Sequence, residues 1–255
     1  MTELRSLALD VAREAGALLL ARFGLPARGV AAKSTLTDLV SDADRDAEAL
    51  IVERLLRARP EDTVLGEEGT SHHGASGLTW YVDPLDGTIN YLYGIPHWSV
   101  TLACADAAGP IAGVVHDPSR GETFVGERAR GAFLGDRRLQ VSAERDLGRS
   151  LAATGFSYDE ELRRRQGRTI ARVLPLVRDI RRCGSAALDL AWLAAGRYDA
   201  YFEVGVNAWD VEAGILLVRE AGGRVTRLDG IGEDRRPAVV ATNAAVHDAL
   251  IDLLR

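Results

Sequence analysis

Apolar residues recur at Leu4, Leu7, Val11, Ala15, Leu18 and Leu19. That spacing lines one helical face, so residues 3–22 are predicted to form an amphipathic helix closed by Gly24 and Pro26. A second helix is expected from Ser41–Asp44 to Arg59, with Leu50, Ile51, Leu55 and Leu56 inward and Pro60 stopping it. Runs rich in Val, Thr, Tyr and Trp then predict strands at 63–65, 79–83, 98–105, 111–116 and 122–128, separated by Gly, Pro and Asp turns. Past residue 150 the rhythm changes. Strands are expected near 151–154, 178–180, 199–203, 224–227 and 237–241, and helices at 159–174, 185–195, 209–221 and 244–254. There is no steady βαβ alternation, no internal repeat and no low-complexity linker. The pattern predicts stacked α/β layers in two subdomains, 1–145 and 146–255, without a flexible tether.

Composition adds exclusions. The 255 residues are 47% hydrophobic and 27% charged, close to globular averages, and 26 glycines imply many tight turns. Lys+Arg 31 against Asp+Glu 37 gives a net charge of −6, which argues against nucleic-acid or anionic-membrane partners. Lys33 is the only lysine; every other basic residue is arginine. Near the N-terminus Arg5, Asp10, Arg13 and Glu14 interrupt the apolar positions, and Ala15–Leu20 is far shorter than the ~20 residues a membrane span needs, so a cytoplasmic protein is expected. Cys104 and Cys183 are expected to be two buried thiols, with no zinc-like spacing around them. His72 and His73 fall in a polar loop; His97, His116 and His247 are scattered and read as structural or surface residues.

The most informative segment is Trp80-Tyr81-Val82-Asp83-Pro84-Leu85-Asp86-Gly87-Thr88. An apolar strand delivers Asp83, Pro84 is expected to fix a turn, and Asp86 follows three residues on. The two carboxylates can then converge on one point. Gly87 and Thr88 open a new segment, whose free N–H groups favour a phosphate. Carboxylates this close repel unless a cation lies between them, and all-oxygen ligands suit Mg²⁺, Mn²⁺ or Ca²⁺ rather than zinc. Further acids sit at Glu67 and Glu68 in a glycine-flanked turn, at Asp42, Asp44, Asp46 and Glu48 around the second helix start, and at Asp210 opening an apolar helix. Helix-dipole stabilisation accounts for one or two of the second group without any function. Together, carboxylates, a metal and an anion-binding helix start suggest metal-assisted phosphate-ester hydrolysis. No Gly-x-Ser-x-Gly elbow, P-loop or dinucleotide fingerprint is present.

The ordered set Lys33-Ser34, Asp38 to Asp44, Gly66-Glu67-Glu68, Asp83 to Tyr91, Arg182 to Leu190, Trp209 to Gly214 and Glu220 to Gly223 resembles the inositol monophosphatase family of Mg²⁺-dependent phosphomonoesterases. The resemblance covers most of the chain. It implies a five-layer α/β/α/β/α sandwich, shared with the fructose-1,6-bisphosphatase type, a homodimer and inhibition by lithium. By position it implies that Glu67, Asp83 and the Leu85 carbonyl hold one Mg²⁺, and that Asp83, Asp86 and Asp210 hold a second. A third, weaker ion would lean on Glu67 and water; Mn²⁺ is a possible substitute. Gly87 and Thr88 would bind phosphate, and Thr88 with Asp44, assisted by Glu67, would prepare the attacking water. Gly184, Ser185, Ala186 and Glu203, with Asp86 and Asp210, would border the substrate, and Lys33 matches a lysine of the family's catalytic loop.

The expected substrate is a small hydroxylated phosphate monoester, myo-inositol 1-phosphate first. Fructose-1,6-bisphosphate, histidinol phosphate and 3′-phosphoadenosine 5′-phosphate are alternatives. Asn207 stands where animal members often carry histidine, which leaves the ring specificity open, while the Gly184 to Leu190 stretch looks more like bacterial members. Arg163, Arg164 and Arg165 read as a solvated helix face. An alternative of another class is a regulatory protein-binding role on a phosphatase fold.

Overall fold

The computed structural model describes residues 2–32 and 39–255. Helix α1 (Glu3–Arg22) is capped by Thr2, and α2 (Asp42–Ala58) begins where the backbone N–H and hydroxyl of Ser41 both donate to Asp44. Between them β1 (Ala31–Ala32) pairs with β2 (Leu39–Val40). An eight-stranded sheet follows, ordered β10 (Arg137–Arg138), β9 (Gly131–Leu134), β8 (Glu122–Glu127), β7 (Gly109–Asp117), β6 (Ser99–Asp106), β5 (Thr79–Asp86), β3 (Thr63–Gly66) and β4 (Ser71–His72). Only β3 and β5 run parallel in it. A five-stranded sheet is ordered β12 (Asp179–Arg181), β11 (Leu151–Thr154), β13 (Ala200–Val204), β15 (Ala238–Thr242) and β14 (Arg224–Leu228). The remaining helices are α3 (Thr88–Leu92), α4 (Glu160–Val173), α5 (Ala186–Ala194), α6 (Ala208–Glu220) and α7 (His247–Leu254).

The period-two alternation of the strands divides the interior into three cores. In β6, Val100, Leu102 and Cys104 face α1 and α2, while Ala103 faces the opposite way. Ala8, Val11, Ala15 and Leu19 of α1 and Ile51 and Leu55 of α2 complete the first core. The second lies between the sheets, where Leu188, Leu190 and Leu193 of α5 and Val211, Ile215 and Leu217 of α6 meet Val115 and Phe124 on one side and Tyr201 and Val239 on the other. In β15, Val239 and Ala241 face that middle core, whereas Ala238 and Val240 join the third, with Val173 of α4 and Leu250, Ile251 and Leu254 of α7. The result is the expected five-layer α/β/α/β/α arrangement. Gly214 lets α5 and α6 touch, since a Cβ there would lie 2.5 Å from the Leu190 Cβ.

Several local expectations change. Pro84 does not make a turn: β5 runs through it to Asp86, and the pairing with β6 shifts register between Asp83 and Asp86, where proline's missing N–H falls. Helix α7 starts at His247 rather than 244, because Ala244 is left-handed at φ 73°. His72 belongs to β4 instead of a loop. Cys104 is buried, but Cys183 is only half-buried, contrary to the expectation of two buried thiols. Strands β1, β2, β4 and β10 have two residues each, too short to show alternation, and β9 escapes the sequence pattern as well.

Candidate active site

The carboxylates reach one place from three directions. Strand β5 delivers Asp83, 2% exposed, whose Oδ1 accepts the Leu85 N–H at 2.9 Å. The turn after β3 carries Glu67, fixed by its N–H donating to the Val82 carbonyl at 3.0 Å. Asp210 lies in the first turn of α6 and accepts the Asn207 N–H at 2.6 Å. Carboxylate oxygens of Glu67, Asp83 and Asp210 lie within 4.8 Å of one another. Asp86 is tied to the start of α5, its Oδ2 accepting from Ser185 Oγ at 2.5 Å and from the Ala187 N–H at 2.8 Å.

Such crowding is electrostatically costly. Burial, then Glu67, Asp86 and Asp210, raise the Asp83 carboxyl well above its usual range. Burial and the charge of Glu67 raise Asp210 likewise. Burial pushes Asp86 up to about 6, with the bonds from Ser185 and Ala187 pulling the other way. An oxygen-only set of mutually repelling carboxylates, Asp83 buried and the others half-buried, fits a hard divalent cation, which would cancel the repulsion and suit the donor type.

Thr88 begins α3 directly after Gly87, which is left-handed at φ 96°. A Cβ on Gly87 would lie 3.1 Å from the His97 carbonyl and 3.2 Å from that of Gly184, so glycine is needed for both conformation and space. Thr88 Oγ1 lies 2.9 Å from Asp44 Oδ1 and 3.1 Å from the Leu85 carbonyl. Asp44 is 1% exposed and also accepts from Ser41 N–H and Oγ at 2.9 and 2.6 Å.

These groups open onto a cleft of about 530 Å³ that Glu67, Asp83, Leu85, Asp86, Gly87, Thr88, Gly184, Ser185, Ala186, Glu203 and Asp210 all line. Tyr201 donates its hydroxyl to Glu203 at 2.9 Å, while burial pushes the Glu203 carboxyl up to about 7. Every described residue to which the family resemblance gives a role therefore sits at or directly behind the cleft, whereas Asp42 and Asp46 pair with Arg45 and Arg22 at the surface. Lys33 lies outside the described residues. Arg164 and Arg165 pair with Glu160 and Glu161 one turn back, as a solvated face would.

Three contributors, Glu48 among the acids at the second helix start and Asn90 and Arg182 within the matched segments, had no role assigned from the sequence. Glu48, 4% exposed, accepts the Glu68 N–H at 2.8 Å and both Thr70 groups, so it holds the Glu67 turn from α2. Asn90 donates to the carbonyls of His97 at 2.7 Å and Cys183 at 2.8 Å. Arg182 lines the cleft, and its position beside the Gly184 turn was a usable signal. Glu48 gave none, because an acid in a helix's first turns already has an explanation.

The fold and the cleft together define a layered α+β protein built around a carboxylate cluster fit for divalent cations. The inositol monophosphatase family profile matches residues 1–255, and the chain belongs to that family. It is 43% identical over 251 residues to the Nus factor SuhB of Xylella fastidiosa, spanning 95% of this chain and 90% of that one. It is 40% identical over 274 residues to the inositol-1-monophosphatase SuhB of Mycobacterium tuberculosis, spanning 99% and 93%. The crystal structure of extragenic suppressor protein suhB from Bartonella henselae superposes with a TM-score of 0.93 at 39% identity, covering 100% and 99%.

Proposed function

We propose that this protein is a Mg²⁺-dependent phosphatase of small polyol or sugar phosphate monoesters, with myo-inositol 1-phosphate the first candidate. The observation that carries this is the meeting of the Glu67, Asp83 and Asp210 carboxylates within 4.8 Å beside Thr88 and a polyol-sized cleft. Glu67, Asp83 and the Leu85 carbonyl would hold one ion, and Asp83, Asp86 and Asp210 another, with Mn²⁺ able to substitute. When bound, the ions would neutralise phosphate charge and acidify the attacking water.

The chain's own residues do the rest. Thr88 can donate its single proton to Asp44, which leaves its oxygen to accept from a water and point that water's lone pair at phosphorus. Asp44 is the fixed proton acceptor behind it, held by Ser41. N–H groups of Gly87 and Thr88 would receive phosphate oxygens. Glu203, steadied by Tyr201, would accept a substrate hydroxyl, and the Gly184-Ser185-Ala186 turn forms the facing wall.

A panel of phosphate monoesters, including fructose-1,6-bisphosphate, histidinol phosphate and 3′-phosphoadenosine 5′-phosphate, compared by kcat/KM tests the substrate assignment. The highest value is expected for myo-inositol 1-phosphate. The relatives named Nus factor SuhB favour a second reading, a protein-binding role on the same fold. No turnover of any polyol phosphate, with tight binding to a protein partner, would place that reading first. A homodimer of two-subdomain chains (1–145 and 146–255) completes the proposal; light scattering on the eluting species would refute it with a mass near 27.5 kDa.

A further inference from the structure

Beside the carboxylate cluster, three side chains from distant parts of the sequence converge: His97 just before β6, Cys183 just before the Gly184 turn, and Asp189 in the first turn of α5. One ligating atom from each lies within 4.8 Å of the others. His97 is 6% and Asp189 1% exposed. Yet His97 Nε2 and Asp189 Oδ1 are buried without a hydrogen-bond partner among the described residues. Buried polar atoms are almost always satisfied, so two orphans in one three-residue group call for a common partner. Neither sequence spacing nor the histidine positions gave any sign of this grouping.

We infer that His97, Cys183 and Asp189 form a second cation site, one for a transition metal of the Zn²⁺ type. Sulfur and nitrogen donors are poor ligands for Mg²⁺, whereas a thiolate, an imidazole and a carboxylate with water in the fourth position make a tetrahedral zinc set. Bond lengths of about 2.0–2.3 Å place tetrahedral ligand atoms roughly 3.3–3.8 Å apart, so the three donors need close by about 1.5 Å at most. Charge also balances. A thiolate and a carboxylate match the two positive charges of the ion, which leaves no net charge in a buried position.

The surroundings supply the other requirements of such a site. Burial, with help from Arg120, lowers His97 to about 4, so its imidazole is neutral and its lone pair is available. The Asn90 amide grips the backbone carbonyls of His97 and Cys183 at once, fixing two of the three ligand-bearing segments relative to each other. Trp192 packs edge-on against His97 at 5.2 Å. Cys183 is half-buried, which gives the ion a way in. Asp189 also lines the substrate cleft, and the start of its helix holds Asp86. An ion here would lock α5 against the His97 segment and stiffen the wall opposite the carboxylates.

Co²⁺ added to wild-type protein in saturating Mg²⁺ is the test, because thiolate-to-cobalt charge-transfer absorption cannot come from an all-oxygen cluster. A single equivalent should develop that near-ultraviolet absorption, be displaced by Zn²⁺, and give no such signal in Cys183→Ser. Cys104→Ser should behave as wild type. As a second readout, Zn²⁺ should raise the melting temperature of Asp83→Asn, and lose that effect in Asp83→Asn/Cys183→Ser. Absence of the charge-transfer signal in folded wild type, or its persistence in Cys183→Ser, would overturn the assignment.

Discussion

Thr88 Oγ1 lies 2.9 Å from Asp44 Oδ1, joining the first residue of α3 to the first turn of α2 across 44 positions of sequence. The buried carboxylate accepts the hydroxyl's hydrogen bond, and in the proposed mechanism the hydroxyl oxygen in turn accepts one from the attacking water. Thr88→Val keeps the shape and removes that acceptor. It is expected to lower kcat by about 10²–10⁴-fold, the usual range for a positioned acid–base group, with little change in KM or melting temperature. Steady-state kinetics and a thermal melt on the same preparation check this.

Removing metal should make stability rise as pH falls from about 7 to about 5. Glu203 and Asp86 have folded-state values of about 7 and about 6, both set first by burial, and Asp83 and Asp210 are raised as well. An unfolded carboxyl titrates at about 4, so between these limits the four carboxyls bind more protons in the folded state and outweigh His97, His116 and His247, which burial holds low and which pull the other way below about pH 6.5. Asp62 and Asp234 run the other way: burial opposes their ionisation, but bonds from Arg59 and Trp80 and from Arg236 outweigh it and hold them low. Their contribution is present above about pH 4 and lost below it. Thermal melts in EDTA should therefore peak near pH 5, and Mg²⁺ should stabilise most at neutral pH. A metal-free melting temperature that falls steadily from pH 7 to 5 would contradict this.

Asp62 tests the scaffold apart from the site. It is 1% exposed, accepts the Trp80 indole N–H at 2.9 Å and pairs with Arg59 at 2.9 Å. Asp62→Ala leaves a buried indole donor without its partner, at a cost of about 2–4 kcal/mol by the usual worth of charged buried hydrogen bonds. Urea unfolding should show that loss, while kcat below the transition stays as in wild type.

Glu203→Gln should raise KM for a polyol phosphate by up to about 10-fold, the worth of one hydrogen bond to a buried acceptor, and leave Mg²⁺ affinity nearly unchanged. Calorimetric Mg²⁺ titration and initial rates across substrate concentration separate the two effects. An equal loss in both would move Glu203 from the substrate wall into the metal cluster.

What the sequence revealed follows from distance along the chain. Asp83, Leu85, Asp86, Gly87 and Thr88 are neighbours at one strand end, so their chemistry is visible as a local motif. The layers are visible too, because Leu102 and Ala103, or Val239 and Val240, alternate between cores as their strand period requires. Glu48 was hidden because its bonds to Glu68 and Thr70 cross about twenty residues and depend on α2 lying beside β3. The Pro84 bulge was hidden because a proline looks the same in a turn and in an interrupted strand. Cys183, His97 and Asp189 meet only once α5 packs beside the eight-stranded sheet.

The clustered carboxylates are proposed to be a divalent-metal site that serves phosphate-ester hydrolysis. Phosphate release from myo-inositol 1-phosphate, measured for wild type and Asp83→Asn with Mg²⁺ and with excess EDTA, tests it most directly. Turnover is expected only for wild type with Mg²⁺, and Asp83→Asn should lose several orders of magnitude while its metal-free melting temperature holds or rises, since a buried repelling charge is gone. Full turnover in EDTA, or wild-type rates in a folded Asp83→Asn, would contradict the account.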